Sequence, residues 1–484
     1  MPDVVVVGTG PNGLAAAVIL AKAGLSVEVY EAQDAAGGGS RTAELTLPGF
    51  RHDVCAGAHP MALAAPFFRA FDLAAHGVDL LVPEASFAHP MDGGTAGIAW
   101  HDLERTADGL GRDGDAWRAL FAPLVSHWEA VVGLAMSDLR RPPKDLLTAV
   151  RFGLRTLEQG SPLWNTRFHG EVAAALLTGV ATHAITPPRR VPAAGAGLML
   201  TTLAHAGGWV IPRGGSQAIP DALIAELERL GGRVHTGRRV DSLGEFDDAR
   251  AVMLDLAPAE LLRIAGHRLP DRYAKRLSHF RYGGAACKVD FALSGPVPWQ
   301  AEGLDRAGTL HLVGTRAEAM AAERAVSAGR HPERPYVLSI QPGVVDPTRA
   351  PEGMHTFYTY AHVPNGSTRD VSEAIIAQVE RFAPGFRDLI LAKHVYTAAE
   401  MPAHNANYIG GDISAGAMTL RQFAFRPTPR WNPYATPLPG VYLCSASTPP
   451  GPGVHGMSGM HAARHVLRQR FDITTDPLEL LRRN

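Results

Sequence analysis

The stretch that decides the fold is the N-terminal run Val4-Val5-Val6-Val7-Gly8-Thr9-Gly10-Pro11-Asn12-Gly13. Its β-branched residues predict a buried strand, and Gly-x-Gly-x-x-Gly predicts a tight turn into a helix over Leu14 to Ala23. Gly24 ends that helix, and residues 25–31 predict the next strand. Such a βαβ turn brings backbone N–H groups and a helix N-terminus against a pyrophosphate. The sequence therefore predicts a dinucleotide site in a Rossmann-like α/β fold.

The residues of this segment have distinct predicted tasks. Gly8 allows the tight turn, Gly10 the close approach of a phosphate, and Gly13 the packing of helix on strand. Glu31 follows at a strand end, where its carboxylate can accept hydrogen bonds from ribose hydroxyls. The cofactor contacts predicted here are Gly8, Gly10, Pro11, Asn12, Gly13, Glu31 and Ala32.

A second Gly-x-Gly-x-x-Gly spacing, Gly109 to Gly114, does not predict another nucleotide site. The residues before it, 102–108, are charged and helical in character, whereas the motif requires a buried strand there. Asp113 or Asp115 is better interpreted as the cap of a following helix. With one credible nucleotide fold, the sequence predicts no dedicated site for a nicotinamide cofactor.

The residues after Glu31 carry a family resemblance. The run from Glu31 to Gly38 resembles the extended fingerprint of FAD-binding amine oxidases and phytoene desaturases, which implies FAD as the cofactor. In that family a glycine pair passes close to the flavin pyrophosphate, and an Arg usually follows at once. Here Gly39 follows and the Arg is Arg41, so the resemblance implies contacts from Gly38, Gly39 and Arg41.

The C-terminal region extends the resemblance over nearly the whole chain. An apolar strand at 441–446 enters a Gly/Pro-rich loop at 447–456, and a helix starts near Ser458. This resembles the closing motif of phytoene desaturase-like flavoproteins, most nearly the pyridine nucleotide-disulphide oxidoreductase domain-containing group. There the helix N-terminus points at the flavin, whose reduced form is negatively charged. The contacts implied are Ser445, Gly453, Val454, His455, Gly456 and Met457; the alternative is a surface loop.

Composition narrows the function classes. A formal net charge of −1 and a pI near 7.1 give no electrostatic case for a nucleic-acid partner. The three cysteines, Cys55, Cys287 and Cys444, form no Cys-x-x-Cys pair, which argues against a redox-active disulphide and a zinc site, and no metal is predicted. The nucleotide motif begins at residue 4, so we expect no signal peptide and a cytoplasmic location.

The order of segments predicts two interleaved domains. A helix at 218–230 and a strand at 233–240 return the chain to the nucleotide domain, and the resemblance implies that Val240 contacts the adenine. A glutathione-reductase-type FAD domain is predicted at 1–75, 208–280 and 432–484. An α+β substrate domain is predicted at 76–207 and 281–431.

No stretch has the length and apolarity of a transmembrane helix. Two apolar stretches, Val172–Ile185 and Gly195–Ile211, are predicted to line a hydrophobic cavity or the core around it. A third, His59 to Leu81, either forms core helices or rests on a bilayer as a peripheral membrane contact.

Three side chains are candidates for catalysis. In the predicted strand 285–293, Lys288 and Asp290 share one face, and Lys288 resembles the amine-oxidase lysine that holds a water at flavin N5; the alternative is a solvent-facing lysine. Asp412 either accepts a proton or caps a tight turn. His455 either contacts the flavin or its substrate, or serves as a shape and hydrogen-bonding element.

The resulting expectation is an FAD-dependent oxidoreductase, a desaturase or dehydrogenase. It would abstract a hydride from an apolar small molecule, isoprenoid or polyene-like, and pass electrons to oxygen, a quinone or a protein. The alternatives are an amine oxidase, a redox-neutral flavin-dependent isomerase, and a non-catalytic flavoprotein that binds a partner.

Overall fold

The computed structural model describes residues 2–137 and 142–483. Its strands in chain order are β1 (Val4–Val7), β2 (Val27–Tyr30), β3 (Thr42–Ala43), β4 (His52–Asp53), β5 (Leu80–Leu81), β6 (Ala85–Met91), β7 (Thr95–Trp100), β8 (Ile211–Pro212), β9 (Arg233–His235), β10 (Ala251–Leu254), β11 (Ala285–Leu293), β12 (Ala307–Leu312), β13 (Val337–Ile340), β14 (His355–Val363), β15 (Ile390–Tyr396) and β16 (Val441–Leu443). Its α-helices are α1 (Pro11–Lys22), α2 (Pro60–Ala64), α3 (Pro66–Phe71), α4 (Leu103–Gly109), α5 (Gly114–Val125), α6 (Trp128–Ala135), α7 (Leu146–Gln159), α8 (Glu171–Ala181), α9 (Val191–Ala206), α10 (Ala218–Arg229), α11 (Pro258–Ala265), α12 (Asp271–Ser278), α13 (Arg316–Ser327), α14 (Ser372–Glu380), α15 (Met401–His404), α16 (Leu420–Phe425), α17 (Met457–Arg470) and α18 (Pro477–Arg482).

The valine strand β1 lies at the centre of a parallel sheet whose order is β16-β10-β1-β2-β9. Val4 and Val6 pack in one hydrophobic core with helices α1, α10 and α17. Val5 and Val7 pack in another core with residues of α11 and α12. Because helices cover both faces of a parallel sheet, an uninterrupted run of valines is stable in this strand. The Rossmann-like α/β fold is confirmed.

A second, seven-stranded sheet has the order β15-β11-β14-β13-β12-β6-β7. Its neighbouring strands are antiparallel except for β12 and β6, which are parallel. Alternation along β11 sends Cys287, Val289 and Phe291 into one apolar core, whereas Lys288 and Asp290 take the opposite face. Tyr358 and Tyr360 of β14 therefore turn their rings toward the cavity described below.

The chain crosses repeatedly between the two sheets. The strands of the parallel sheet come from the segments predicted for the FAD domain, and those of the mixed sheet from the segments predicted for the substrate domain. The domain boundaries themselves stay a prediction. Strand β9 is shorter than predicted and ends at His235, so Val240 lies in the chain that follows it.

The C-terminal helix α17 closes the nucleotide domain by packing on α1. Gly459 makes this contact possible, because a Cβ there would collide with the carbonyl oxygen of Asn12. The predicted α17 and its partner strand β16 both form, and β16 pairs with β10 in parallel. Residues from the end of the chain thus lie beside residues from its beginning.

The apolar segment His59 to Leu81 belongs to the core. Its large side chains are buried in the cluster around α1, including Met61, Phe67, Phe68, Phe71 and Leu73. The expectation that this segment rests on a bilayer is therefore wrong. Within residues 2–137 and 142–483, every helix falls short of the length and apolar content that a membrane crossing requires.

The two Gly-x-Gly-x-x-Gly motifs differ as predicted, because helix α4, not a strand, precedes the second one.

This contrast gives a matched test of stability. Gly8 has φ +100°, and a Cβ there would lie 3.0 Å from the Asp255 carbonyl oxygen. We expect Gly8→Ala to lower the free energy of unfolding by about 2 kcal/mol because of backbone strain.

The control is Gly109→Ala, where a Cβ would meet nothing within 4 Å. Because Gly109 is the last residue of α4, this substitution is expected to leave stability unchanged or raise it by a few tenths of a kcal/mol. Urea unfolding of both variants measures the difference. Equal stabilities would contradict the strain assigned to Gly8.

Candidate functional site

A cavity of about 710 Å³ lies at the carboxyl edge of the parallel sheet and extends toward the face of the mixed sheet. The position agrees with the general rule that open α/β sheets bind ligands beyond the carboxyl ends of their strands. Most of the predicted cofactor residues line it: Gly8, Gly10, Pro11, Asn12, Glu31, Ala32, Gly38, Gly39, Arg41, Val240, Ser445, Gly453 and Val454. Four predicted residues do not line it: Gly13, His455, Gly456 and Met457.

The glycine-rich turn forms a narrow cradle of backbone. A Cβ at Gly13 would collide with the Gly8 carbonyl oxygen, which is why helix α1 packs so closely on strand β1. A Cβ at Gly38 would lie 2.9 Å from the Cα of Gly10, so the second glycine run passes directly over the first. Because these positions have no side chains, the two glycine runs leave a space bounded by backbone. This space suits a pyrophosphate held by the N–H groups at the start of α1.

Glu31 organises the loop as well as facing the cavity. Its carboxylate accepts hydrogen bonds from the Thr9 backbone N–H at 3.0 Å, the Thr9 hydroxyl at 2.5 Å and the Gln33 N–H at 2.9 Å. The Thr9 Oγ1 in turn accepts from the Gly37 N–H at 3.0 Å. Glu31 therefore ties the end of β2 to both glycine runs, in a position that fits its predicted ribose contact.

Arg41 lines the cavity while its guanidinium is held by backbone carbonyls. Its Nε donates to the Gly38 oxygen at 3.0 Å, and one Nη donates to the His404 oxygen at 2.8 Å. The side chain braces the glycine run against helix α15. A contact between the Arg41 guanidinium and the flavin pyrophosphate stays a prediction.

Asp255, which follows strand β10, was not recognised from the sequence. Its Oδ2 accepts a hydrogen bond from the Gly13 N–H at 3.0 Å, directly beneath the glycine-rich turn. Burial, with the nearby Glu31 carboxylate, raises the pKa of Asp255 to about 7. Asn407 Nδ2 donates to the Asp255 carbonyl at 2.9 Å and links this loop to the chain before α16. The signal available was the position of Asp255 after a buried strand, where ligand-facing residues concentrate.

His455 braces the C-terminal loop, and a catalytic role for it stays a prediction. Its Nε2 donates to the Gly451 carbonyl at 3.0 Å, and its Nδ1 accepts from the Met457 N–H at 3.0 Å. Both ring nitrogens are thus engaged at the start of α17. Burial lowers the pKa of His455 to about 4, so the ring is neutral near pH 7. His455 shapes the loop that presents Gly453 and Val454 to the cavity.

Asp412 is likewise held by backbone groups, and its role as a proton acceptor stays a prediction. Its carboxylate accepts backbone N–H hydrogen bonds from Gly283 at 2.7 Å, Ser414 at 2.8 Å and Gly416 at 3.0 Å. The residue is fully buried and does not line the cavity. With its oxygens committed to three backbone donors, Asp412 organises a turn, which was the capping alternative.

Lys288 is buried, which excludes the solvent-facing alternative. Its ammonium pairs with Asp290 and lies 4.3 Å from the centroid of the Tyr358 ring. Tyr358 is on the cavity wall, but Lys288 is not among the residues that line it. The role predicted for Lys288 at flavin N5 stays a prediction, and the geometry places the lysine one layer behind the wall.

The far end of the cavity is apolar. It is formed largely by helices α6, α7, α9 and α16, which contribute Leu134, Met136, Phe152, Val191, Met199, Leu200, Leu420 and Phe423. Helix α9 overlaps the stretch Gly195–Ile211 that was predicted to line a cavity or its surrounding core. Gly195, Met199 and Leu200 of this stretch line the cavity. Among the described lining residues, the carboxylates are Glu31, Asp255 and Glu260, and all three lie at the nucleotide end.

A histidine pair on the wall was also missed by the sequence analysis. His183 lines the cavity, and its Nε2 is 2.7 Å from Nε2 of the buried His311. Burial lowers the pKa of His183 to about 3, so both rings are neutral near pH 7. Their sequence positions, 128 residues apart, gave no signal of the pairing.

Known proteins are similar to this chain in sequence or in architecture. Residues 12–467 match the family of flavin containing amine oxidoreductases. The chain is 26% identical over 547 aligned residues to pyridine nucleotide-disulfide oxidoreductase domain-containing protein 2 of Mus musculus, covering 96% of this chain and 93% of that protein. It is 26% identical over 275 residues to the neurosporene-forming phytoene desaturase of Rhodobacter capsulatus, covering 51% of each. The solved cyclohexylamine oxidase of Brevibacterium oxydans shares the fold, with a TM-score of 0.55, 16% identity and full coverage of both chains.

The match extends from the glycine-rich turn to helix α17, the two regions that form the cofactor end of the cavity. The cradle of glycines, the Glu31 carboxylate and the α17 region are suited to FAD, whose pyrophosphate and ribose these groups would hold. The resemblance noted in the sequence is confirmed, and the cofactor is FAD. The chain belongs to the flavin-containing amine oxidoreductase family and is an FAD-dependent oxidoreductase.

Proposed function

We propose that the protein is a desaturase or dehydrogenase that removes a hydride and a proton from a largely apolar, uncharged small molecule. The observation that carries the proposal is the apolar lining of the cavity at the end away from the nucleotide site. The described lining there is mostly aliphatic and aromatic, with the uncharged hydroxyl of Thr156 among it, and the lining carboxylates lie at the nucleotide end. A cationic amine would lose its hydration shell there without an opposite charge, which is costly.

The residues around the cavity have separable tasks. Bound FAD supplies the hydride acceptor. The glycine cradle and Glu31 hold the nucleotide, and the rings of Tyr358 and Tyr360 form the wall between the mixed sheet and the cavity. The apolar far end excludes water and positions the substrate by shape, because it offers few polar contacts.

We assign His183 as the proton acceptor on this wall. Its hydrogen bond to His311 fixes the ring, and no other hydrogen bond joins His183 to the described residues. The assignment requires the tautomer in which His183 Nε2–H donates to His311 Nε2, because the lone pair of His183 Nδ1 is then free to receive a proton from substrate. Removing such a group typically costs a factor of about 100 or more in the chemical step.

An anaerobic stopped-flow screen tests the proposed function. We expect polyenes or isoprenoids to bleach the oxidised flavin absorbance, His183→Gln to slow that bleaching at least tenfold, and amines to leave it unchanged. NADPH should also leave it unchanged, because the described residues form one parallel nucleotide-binding sheet, and electrons should leave to oxygen, a quinone or a protein. Rapid saturable reduction by an amine or by NADPH would overturn the proposal.

Glu31→Ala tests the cofactor end separately. The substitution removes the acceptor for the ribose and for both Thr9 donors, so we expect FAD affinity to fall at least about tenfold, or 1.4 kcal/mol. The measurement is the flavin-to-protein absorbance ratio after dialysis, followed by titration with FAD. Glu28→Ala on the same strand is the control, and retention equal to wild type in Glu31→Ala would contradict the assignment.

A further inference from the structure

Helix α7 presents its apolar side to solvent and its polar side to the protein. The outward residues Leu146, Leu147, Val150, Leu154 and Leu157 are each between 50% and 69% exposed. The buried positions of the same helix are Thr148, Phe152, Thr156 and Gln159. A surface helix ordinarily has the reverse arrangement, with its apolar stripe toward the core. The aliphatic stripe of α7 therefore points to an apolar partner outside the chain.

The charges around the stripe restrict that partner. Lys144 stands directly before the helix cap Asp145, and Arg151 and Arg155 lie on the helix, where Arg155 is paired with Glu158. The acidic residues of α7 and its cap are committed: Glu158 pairs with Arg155 and Arg167, and Asp145 caps Thr148. Basic residues flanking an exposed leucine-rich helix face are typical of helices that lie in the headgroup region of anionic membranes.

The same helix also forms part of the cavity wall. Phe152 and Thr156 on its inner side line the cavity, and Leu420 of α16 lines it while remaining 62% exposed. Both α7 and α16 pack against α9, which supplies much of the apolar wall. The exposed stripe is thus one helix diameter from the apolar end of the cavity.

We infer that the outward face of α7 docks on the surface of an anionic phospholipid bilayer. The leucines enter the boundary between headgroups and acyl chains, and the basic residues contact the phosphates. A symmetric contact with a second copy is disfavoured because it would bring the same basic residues of two chains together. Docking does not depend on the proposed function. Its consequence, that substrate enters the cavity from the bilayer, does rest on that function.

Co-sedimentation of the FAD-loaded protein with vesicles tests the docking. We expect binding to vesicles of phosphatidylcholine with phosphatidylglycerol, weaker binding to phosphatidylcholine alone, and release by salt. Leu147→Glu/Leu154→Glu should lower the partition onto anionic vesicles at least tenfold, with FAD content and circular dichroism unchanged because both side chains are exposed. Leu391→Glu, at an exposed leucine on β15, is the matched control and should bind like wild type.

Two results would overturn the inference. One is wild-type protein that stays in the supernatant with both kinds of vesicle, or a double variant that binds as wild type does. The other is a wild-type dimer in analytical ultracentrifugation that the double variant dissociates, which would make a second copy the occupant. Because sedimentation requires no turnover, vesicle binding without polyene oxidation would refute the proposed function and leave docking intact.

Discussion

The native fold is expected to be lost cooperatively when the pH is lowered from 7 to about 5. Burial depresses the pKa values of eight histidines, to about 3 or 4 for seven of them and well below the usual value for His311: His52, His59, His89, His183, His205, His311, His404 and His455. In the unfolded chain each would titrate near 6.5. The unfolded state therefore binds many more protons below that pH.

The sign follows from proton linkage. Stability from a depressed histidine pKa is fully present above about pH 6.5 and is lost as the pH falls toward the folded pKa, at about 2 kcal/mol per histidine by pH 5. Three carboxyls act oppositely, because burial raises the pKa of Asp412, that of Asp255 to about 7 and that of Asp290 to about 6. A carboxyl with a raised pKa stabilises the fold less as the pH rises through that pKa and more as the pH falls. On acidification these carboxyls therefore offset part of the stability that the histidines lose.

Eight histidines outweigh three carboxyls, and the summed loss is comparable with the roughly 5–15 kcal/mol that typically stabilises a folded protein. Far-UV circular dichroism against pH measures the transition on the FAD-loaded protein. His89→Gln, which keeps a donor for the Gly314 carbonyl, should move the midpoint to lower pH. Native circular dichroism retained at pH 4 would contradict the prediction.

Lys288→Met is expected to lower the free energy of unfolding by about 3–5 kcal/mol. The substitution removes the partner of Asp290, which is completely buried and whose other oxygen lies 3.7 Å from His52 Nδ1. A carboxyl left without its cation in a buried site is costly, whereas replacing both members by apolar groups is often neutral. The double variant Lys288→Met/Asp290→Leu should therefore recover most of the lost stability in urea unfolding.

The double variant also tests the role of Lys288 in electron transfer. We expect it to reoxidise with oxygen at the wild-type rate, because the Tyr358 ring lies on the cavity wall and the ammonium lies behind it. Stopped-flow reoxidation of the photoreduced protein measures the rate. A slowing of at least tenfold, about 1.4 kcal/mol, would instead support the water-holding role suggested by the sequence. Equal stabilities of the single and double variants would contradict the coupling of the pair.

The parts of the fold that were predictable depend on local chemistry. The valines of β1, the glycines at 8, 10 and 13 and the carboxylate of Glu31 are each required by backbone geometry within one βαβ unit, so their spacing carried the prediction. The C-terminal loop was found for the same reason. Here the sequence correctly indicated thirteen residues that line the cavity.

The roles of polar side chains were less predictable because they depend on distant partners. Asp412 was predicted to accept a proton or cap a turn, and only the fold shows that Gly283, far upstream in the chain, donates to it. Both ring nitrogens of His455 are engaged by its own loop, and the ring of His183 is fixed by its hydrogen bond to His311. The outward leucines of α7 have a helical period that indicates a helix but not which side faces the core.

The division of the parallel sheet among distant segments has a consequence for biosynthesis. Strand β1 is synthesised long before its partner β10, and β16, which pairs with β10, is synthesised later still. Since α17 packs on α1 through Gly459, the region that would hold FAD is incomplete until that helix has been made. A chain terminated before α17 is therefore expected not to retain the flavin, whereas a yellow colour indicates that translation has passed α17.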